Sequence, residues 1–180
     1  MADSESLTER ILHALPSWKG YSYGHTVDFP SCVRGVPTKL IDTGTKQIDC
    51  STFTWGILCQ LYPDADWTFD CYKKWQMWDR EDLWGPITQA KAMGLTADDD
   101  GDGWYLYQVW KGDWKGGHSF LACKAGDRLL VLEATNASRP RPGVVWRNIG
   151  YAESYLPPWP EYGERDATRG RAYSKVKLRG

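Results

Sequence analysis

No run of apolar residues in this chain approaches the length needed to span a bilayer, and its polar start, MADSESLTER, has no secretory pattern. No two cysteines stand as CxxC, which argues against a zinc cage or a thioredoxin-like motif. The net charge is −1 with no long basic run, so the chain lacks the electrostatic footprint of a nucleic-acid binder. No internal repeat is present. Histidine is scarce: His13, His25 and His118 are the only three, which narrows the choice of a general base. The five cysteines (Cys32, Cys50, Cys59, Cys71, Cys123) are odd in number and lack framework spacing. They are expected to be free thiols, made in the reducing cytoplasm.

Aromatic residues are abundant, with 11 tryptophans and 10 tyrosines. About half of the tryptophans are expected in the core and the others along a groove, where flat amphipathic rings stack on sugars or peptides. The 180 residues suit one domain able to bury a core without staples, with that core expected over about residues 17–150. Apolar residues at helical spacing (Leu7, Ile11, Leu15) predict a helix over residues 5–15, ending before Pro16, with His13 a packing or surface residue. Residues 17–49, rich in Gly, Pro, Thr and Asp, read as a long irregular segment of the kind that carries function. A helix apolar on most sides is predicted from Cys50 to Tyr62, stopped by Pro63, with shorter helices at 69–79 and 86–93. After the acidic turn DDDGDG, strands are predicted at 104–110, 117–124, 128–134 and 143–149, with a possible edge strand at 172–178. Helices first and antiparallel strands second define an α+β domain.

Within QIDCSTFTWGILCQLY (residues 47–62), Cys50 begins the apolar helix. The residues leave three readings open: core thiol, disulfide half or nucleophile. First-turn N–H groups and the positive end of the helix dipole favour a thiolate there, while Asp49 opposes it unless its side chain caps the helix. His118 follows a Gly-Gly pair at the start of an apolar strand. A two-residue turn at Gly126-Asp127 would pair Ala125 with Arg128, Phe120 with Glu133 and His118 with Thr135. Glu133 then shares the face of His118 and stands diagonal to it. A carboxylate in the apolar strand RLLVLEA needs a partner, and an imidazole supplies one. Nucleophile, base and a third group that orients the base form the arrangement of nucleophilic acyl transfer.

Two segments of the chain resemble a family. YSYGHTVDF followed by IDCSTFTW is similar to the segment around the catalytic cysteine of NlpC-type cell-wall peptidases, and GGHSFLACKAGDRLLVLEA is similar to their histidine hairpin. The likeness runs from about Tyr21 to Asn136. It implies a papain-like fold with Cys50 as nucleophile, His118 as general base and Glu133 as the third polar residue. Asn136 is a rival or helper for that place, by analogy with the related CHAP amidases. The resemblance assigns Tyr21 as the tyrosine near the nucleophile, a place that Tyr23 could take instead. Thr52 stands where the family has glycine, and Glu133 where it often has histidine. The implied activity is hydrolysis of a peptidoglycan amide by a monomer that needs no cofactor and acts on the wall after release or delivery. A phage lysin, a virion-associated wall enzyme and a delivered toxin all fit.

Asp98, Asp100 and Asp102, followed by Gly103, match the first half of a calcium loop. Val109 occupies the twelfth position, where the bidentate glutamate belongs, so an ordinary acidic turn is the favoured reading and weak structural calcium the other. Two rival functions accompany the hydrolase. One is a non-catalytic tryptophan-rich module that binds glycans or peptides. The other is a papain-like acyltransferase or deamidase with His25 as base.

Overall fold

The computed structural model describes residues 5–18, 22–24, 29–33, 36–41, 47–68, 71, 75, 85–111, 117–126, 128–135, 143–147 and 171–180. Helix α1 (Leu7–Ala14) starts at a capping box in which Ser6 Oγ accepts the Glu9 N–H at 3.3 Å and Glu9 Oε2 accepts the Ser6 N–H at 2.8 Å. The chain continues past Ala14 as a 3₁₀ turn, Leu15–Trp18, that accommodates Pro16. Residues 17–49 are not wholly irregular. Strand β1 (Ser22–Tyr23) pairs in parallel with β4 (Gln47–Ile48), and β2 (Phe29–Val33) forms a hairpin with β3 (Val36–Ile41). These strands are short or broken by a register shift, so their periodicity is too brief to be visible in sequence.

Helix α2 (Cys50–Leu61) is buried on nearly every side, as its continuous apolar character predicts; all but Gln60 of its twelve residues are buried. Trp18 closes one side, its ring edge-on to Phe53 at 5.8 Å. Trp55 is flanked by Trp67 at 4.7 Å and Trp75 at 5.4 Å. The indole N–H groups of the two flanking rings are not wasted. Trp75 donates to the Ser51 carbonyl at 3.0 Å and Trp67 to the Tyr62 carbonyl at 2.7 Å. Of the predicted 69–79 helix, only Cys71 and Trp75 are described, and both are helical. Helix α3 (Gly85–Ala92) holds Pro86 in its first turn, where the missing N–H costs nothing.

Six strands build one antiparallel sheet in the order β5-β10-β6-β7-β8-β9. They are β5 (Thr96–Ala97), β6 (Gly103–Lys111), β7 (Gly117–Ala125), β8 (Arg128–Thr135), β9 (Gly143–Arg147) and β10 (Arg171–Leu178). The strand predicted at 172–178 therefore inserts beside β6, with β5 outside its last two residues. The α+β class stands. Alternate residues Trp104, Leu106, Leu121, Leu132, Ala134, Val176 and Leu178 join Ile11, Leu15, Trp18 and the apolar side chains of α2 in one core. That core draws on the first helix and the last strand as well as residues 17–150. On the other face of the sheet, Tyr105, Tyr107, Phe120, Ala122 and Val131 are also buried. Among the described residues no helix is long and apolar enough to cross a membrane.

Gly56 is where α2 meets Trp18. A Cβ there would lie 2.2 Å from Trp18 Cη2, and the indole is itself only 3% exposed. Gly56→Ala should therefore overpack the core and lower stability by about 1–3 kcal/mol despite the better helix propensity of alanine. Urea unfolding of the two proteins measures this, and an unchanged or higher midpoint would show that the indole yields freely.

Candidate active site

Cys50 is the first residue of α2, 7% exposed and not disulfide-bonded. Its place is set by Asp49, the N-cap, whose Oδ1 accepts the Thr52 N–H at 2.7 Å and the Ser51 hydroxyl at 3.0 Å. The neighbouring carboxylate is thus engaged in capping, the condition under which it least opposes a thiolate. His118, the second residue of β7, and Glu133, the sixth of β8, meet through Nε2 and Oε2 at 2.6 Å. The β7–β8 hairpin has the register that places them on one face, with Ala125 opposite Arg128 and Leu121 opposite Leu132. Gly126 turns the chain at φ 59, a value in the left-handed region that favours glycine.

Cys50 is the other hydrogen-bonding partner of the His118 ring. With Nε2 held by Glu133, Nδ1 is the nitrogen left to serve the thiol. Burial opposes a charged imidazole, but the hydrogen bonds and charges of Cys50 and Glu133 outweigh it and push His118 up to about 10. Its side chain still keeps 28% of its surface open, so a substrate can reach it. Phe120 stacks against the ring at 5.6 Å and an interplanar angle of 28°, which limits its swing.

Tyr23 completes the group. Parallel pairing of Tyr23 with Ile48 brings β1 alongside the residues that lead into Cys50, and the Tyr23 hydroxyl hydrogen-bonds Cys50. Burial, then the charges of Cys50 and Asp49, push the phenol well above its ordinary value, so it remains a protonated donor. Tyr21, the tyrosine that the resemblance assigns here, lies outside the described residues, as do Asn136 and His25. Sequence reasoning named Tyr23 only as a substitute, and the YSY run offers no local signal to separate the two tyrosines. Cys50, His118 and Glu133 are brought together as the sequence suggests.

Among the described residues, the free-thiol expectation fails at Cys59. Cys59 is disulfide-bonded, whereas Cys50, Cys71 and Cys123 are free. Cys59 is buried in α2, which packs against the β2–β3 hairpin, so its chemistry depends on a tertiary contact that cysteine spacing does not reveal.

The acidic turn uses its carboxylates on lysines and backbone. Asp100 pairs with Lys175 at 2.9 Å, Asp99 with Lys177 at 2.5 Å, and Asp102 accepts the Gly126 N–H at 3.0 Å. Hydrogen bonds from these lysines hold Asp99 and Asp100 below the usual carboxylate range. Among the described residues no three His, Cys, Asp or Glu side chains gather in a way that could hold a metal ion. No family model matches this chain, and neither a curated protein nor a solved structure matches it.

The raised His118 pKa sets the direction of its pH dependence. The charged ring adds stability that is complete below about 6.5, the ordinary histidine value, and is lost as pH rises through about 10. An NMR titration should place the His118 midpoint near the upper limit. Glu133→Gln, which removes one of the two charges holding the proton, should move it down. A wild-type midpoint near the ordinary value would contradict the coupling. For the acidic turn, excess chelator should leave the melting temperature unchanged, because lysines already neutralise two of its carboxylates. A fall that calcium reverses would identify a metal loop instead.

Proposed function

We propose that this protein is a cysteine amidase or endopeptidase of papain-like, NlpC-type fold that hydrolyses amide bonds in bacterial peptidoglycan. The observation that carries the hydrolase reading is the linked group Cys50–His118–Glu133, with the imidazole hydrogen-bonded on one side to the thiol and on the other to a carboxylate. A buried thiol of purely structural use needs neither partner. The papain-like assignment is supported by the order of elements: the cysteine opens a buried helix, and the histidine and acid follow on adjacent antiparallel strands. The peptidoglycan substrate rests on the resemblance of the cysteine and histidine segments to the NlpC family. Delivery as a phage lysin, virion enzyme or toxin is part of the same proposal.

The thiolate of Cys50 attacks the amide carbonyl carbon, and the C=O electron pair moves onto oxygen. The Thr52 and Phe53 N–H groups are taken by Asp49, so the backbone N–H of Cys50 itself is the first-turn donor assigned to that oxyanion. His118 then delivers its proton to the amide nitrogen, the C–N bond breaks and the amine departs. The resulting thioester no longer carries the sulfur charge that helped to hold the histidine proton. The ring can therefore act as a base, taking a proton from water as the water oxygen attacks. Collapse of the second tetrahedral species expels the thiolate and releases the acid, while Glu133 keeps the ring oriented throughout. Tyr23 donates to the sulfur while it is charged and helps to hold it in line.

Trp18, Trp55, Trp67, Trp75 and Trp104 are core residues, which matches the half of the eleven tryptophans expected there. Mass spectrometry of muropeptides released from purified sacculi tests the hydrolase reading. Cys50→Ala and His118→Ala should each lower the rate on the order of 10³-fold or more, and the double variant should be little worse than either. Glu133→Gln should lose less, since its amide keeps one acceptor. Undiminished release by His118→Ala would end the proposal.

A further inference from the structure

A second constellation lies at the opposite end of the strands from the cysteine site. A cavity of about 360 Å³ opens where α3, β5, β6 and β10 meet, within the size range of small-molecule sites. Beneath it lies Tyr105, fully buried and held from two directions. The hydroxyl donates to the Gly101 carbonyl, and Lys175 Nζ sits over the ring face at 4.7 Å. Lys175 and Lys177 bury their stems here, leaving only 11% and 16% of each side chain exposed, with their ammonium groups consumed by Asp100 and Asp99. Those pairs brace the pocket but offer little to a ligand.

Two lining charges are left over. Lys91, in the last turn of α3, and Asp98, at the start of the acidic turn, make no ion pair among the described residues. The lining holds three aspartates and three lysines, so it has no net attraction for a simple anion or cation. A molecule that presents an ammonium and a carboxylate together satisfies both free charges and pays for neither with an unmatched partner.

We propose that this pocket binds an α-amino-acid head group, with the exposed Asp98 receiving its ammonium and the exposed Lys91 its carboxylate. The pocket shares a sheet face with the cysteine site. Lys177 pairs with Tyr105, Lys175 with Tyr107, and Tyr107 with Phe120, two residues from His118. Tyr105 and Val109, the cross-strand partner of His118, are four residues apart, about 13 Å at the strand rise. The head group can therefore come from a free amino acid or from the end of a short peptide held at Cys50. The second source rests on the hydrolase reading; the pocket itself does not.

Glycine is the probe, titrated at neutral pH into the ¹⁵N-labelled full chain and followed by NMR. Glycinamide and N-acetylglycine serve as controls that carry only one of the two charges. Saturable shifts around Lys91, Asp98 and Tyr105 are expected with glycine at millimolar concentration, and much weaker ones with either control. Asp98→Asn and Lys91→Gln should each weaken binding severalfold, while Cys50→Ala should bind as the wild type does, which separates this site from the fate of the catalytic proposal. If the head group belongs to a peptide substrate, the two pocket variants raise KM and leave kcat unchanged; if it is a free amino acid, KM stays put while glycine binding falls. Absent saturation, or equal shifts with a singly charged control, would overturn the proposal.

Discussion

Helix α2 has almost no solvent face, and a helix in that position must be walled on every side by something that fits. Trp18 lies close enough to Gly56 to exclude even a methyl group, Trp55 sits between two other indoles, and the sheet closes the remaining side. This constraint makes the position of Cys50 definite. The nucleophile candidate is the first residue of a rod that cannot slide or roll without opening the core, and close packing of this kind tolerates neither. Asp49 then fixes where the rod begins, because its carboxylate is spent on the first-turn N–H of Thr52.

The rigid helix would be useless without an equally fixed base. The turn at Gly126 joins β7 to β8 with Ala125 opposite Arg128, and that register decides that His118 and Glu133 share a face. A slip of one residue would send one of them to the opposite side. The contact between them is short, part-buried and charge-assisted, so it holds the ring orientation and the proton together. Tyr23 reaches the same sulfur from a third direction through the β1–β4 pair. Three separate segments thus converge on one atom, each by its own local geometry.

The sheet serves two purposes on its two faces. One carries the apolar residues that pack against α1 and α2. The other carries a row of rings, Tyr105, Tyr107, Phe120 and His118, with successive centroids 6.0, 5.1 and 5.6 Å apart, running from the charged pocket to the cysteine site. Placing β10 beside β6 is what supplies Lys175 and Lys177 to the acidic turn. A turn that reads as half of a metal loop in isolation also makes ion pairs to the last strand through Asp99 and Asp100.

Several features were legible in the sequence because their causes are local. The continuous apolar run after Asp49 specifies a buried helix with a capped start. The Gly-Gly pair before His118 and the Gly126-Asp127 turn specify a strand, a hairpin and its register, and a lone glutamate in RLLVLEA advertises a missing partner. The α+β order follows from the same patterns. Tertiary structure alone decided that Tyr23 touches the sulfur, that Cys59 is oxidised, and that β10 inserts beside β6 to neutralise the acidic turn. Each of these joins residues far apart along the chain, and no periodicity or turn chemistry encodes which distant segments meet. That outcome is set by how the whole set of apolar faces can be buried at once, a property of the packed molecule and not of any short stretch of it.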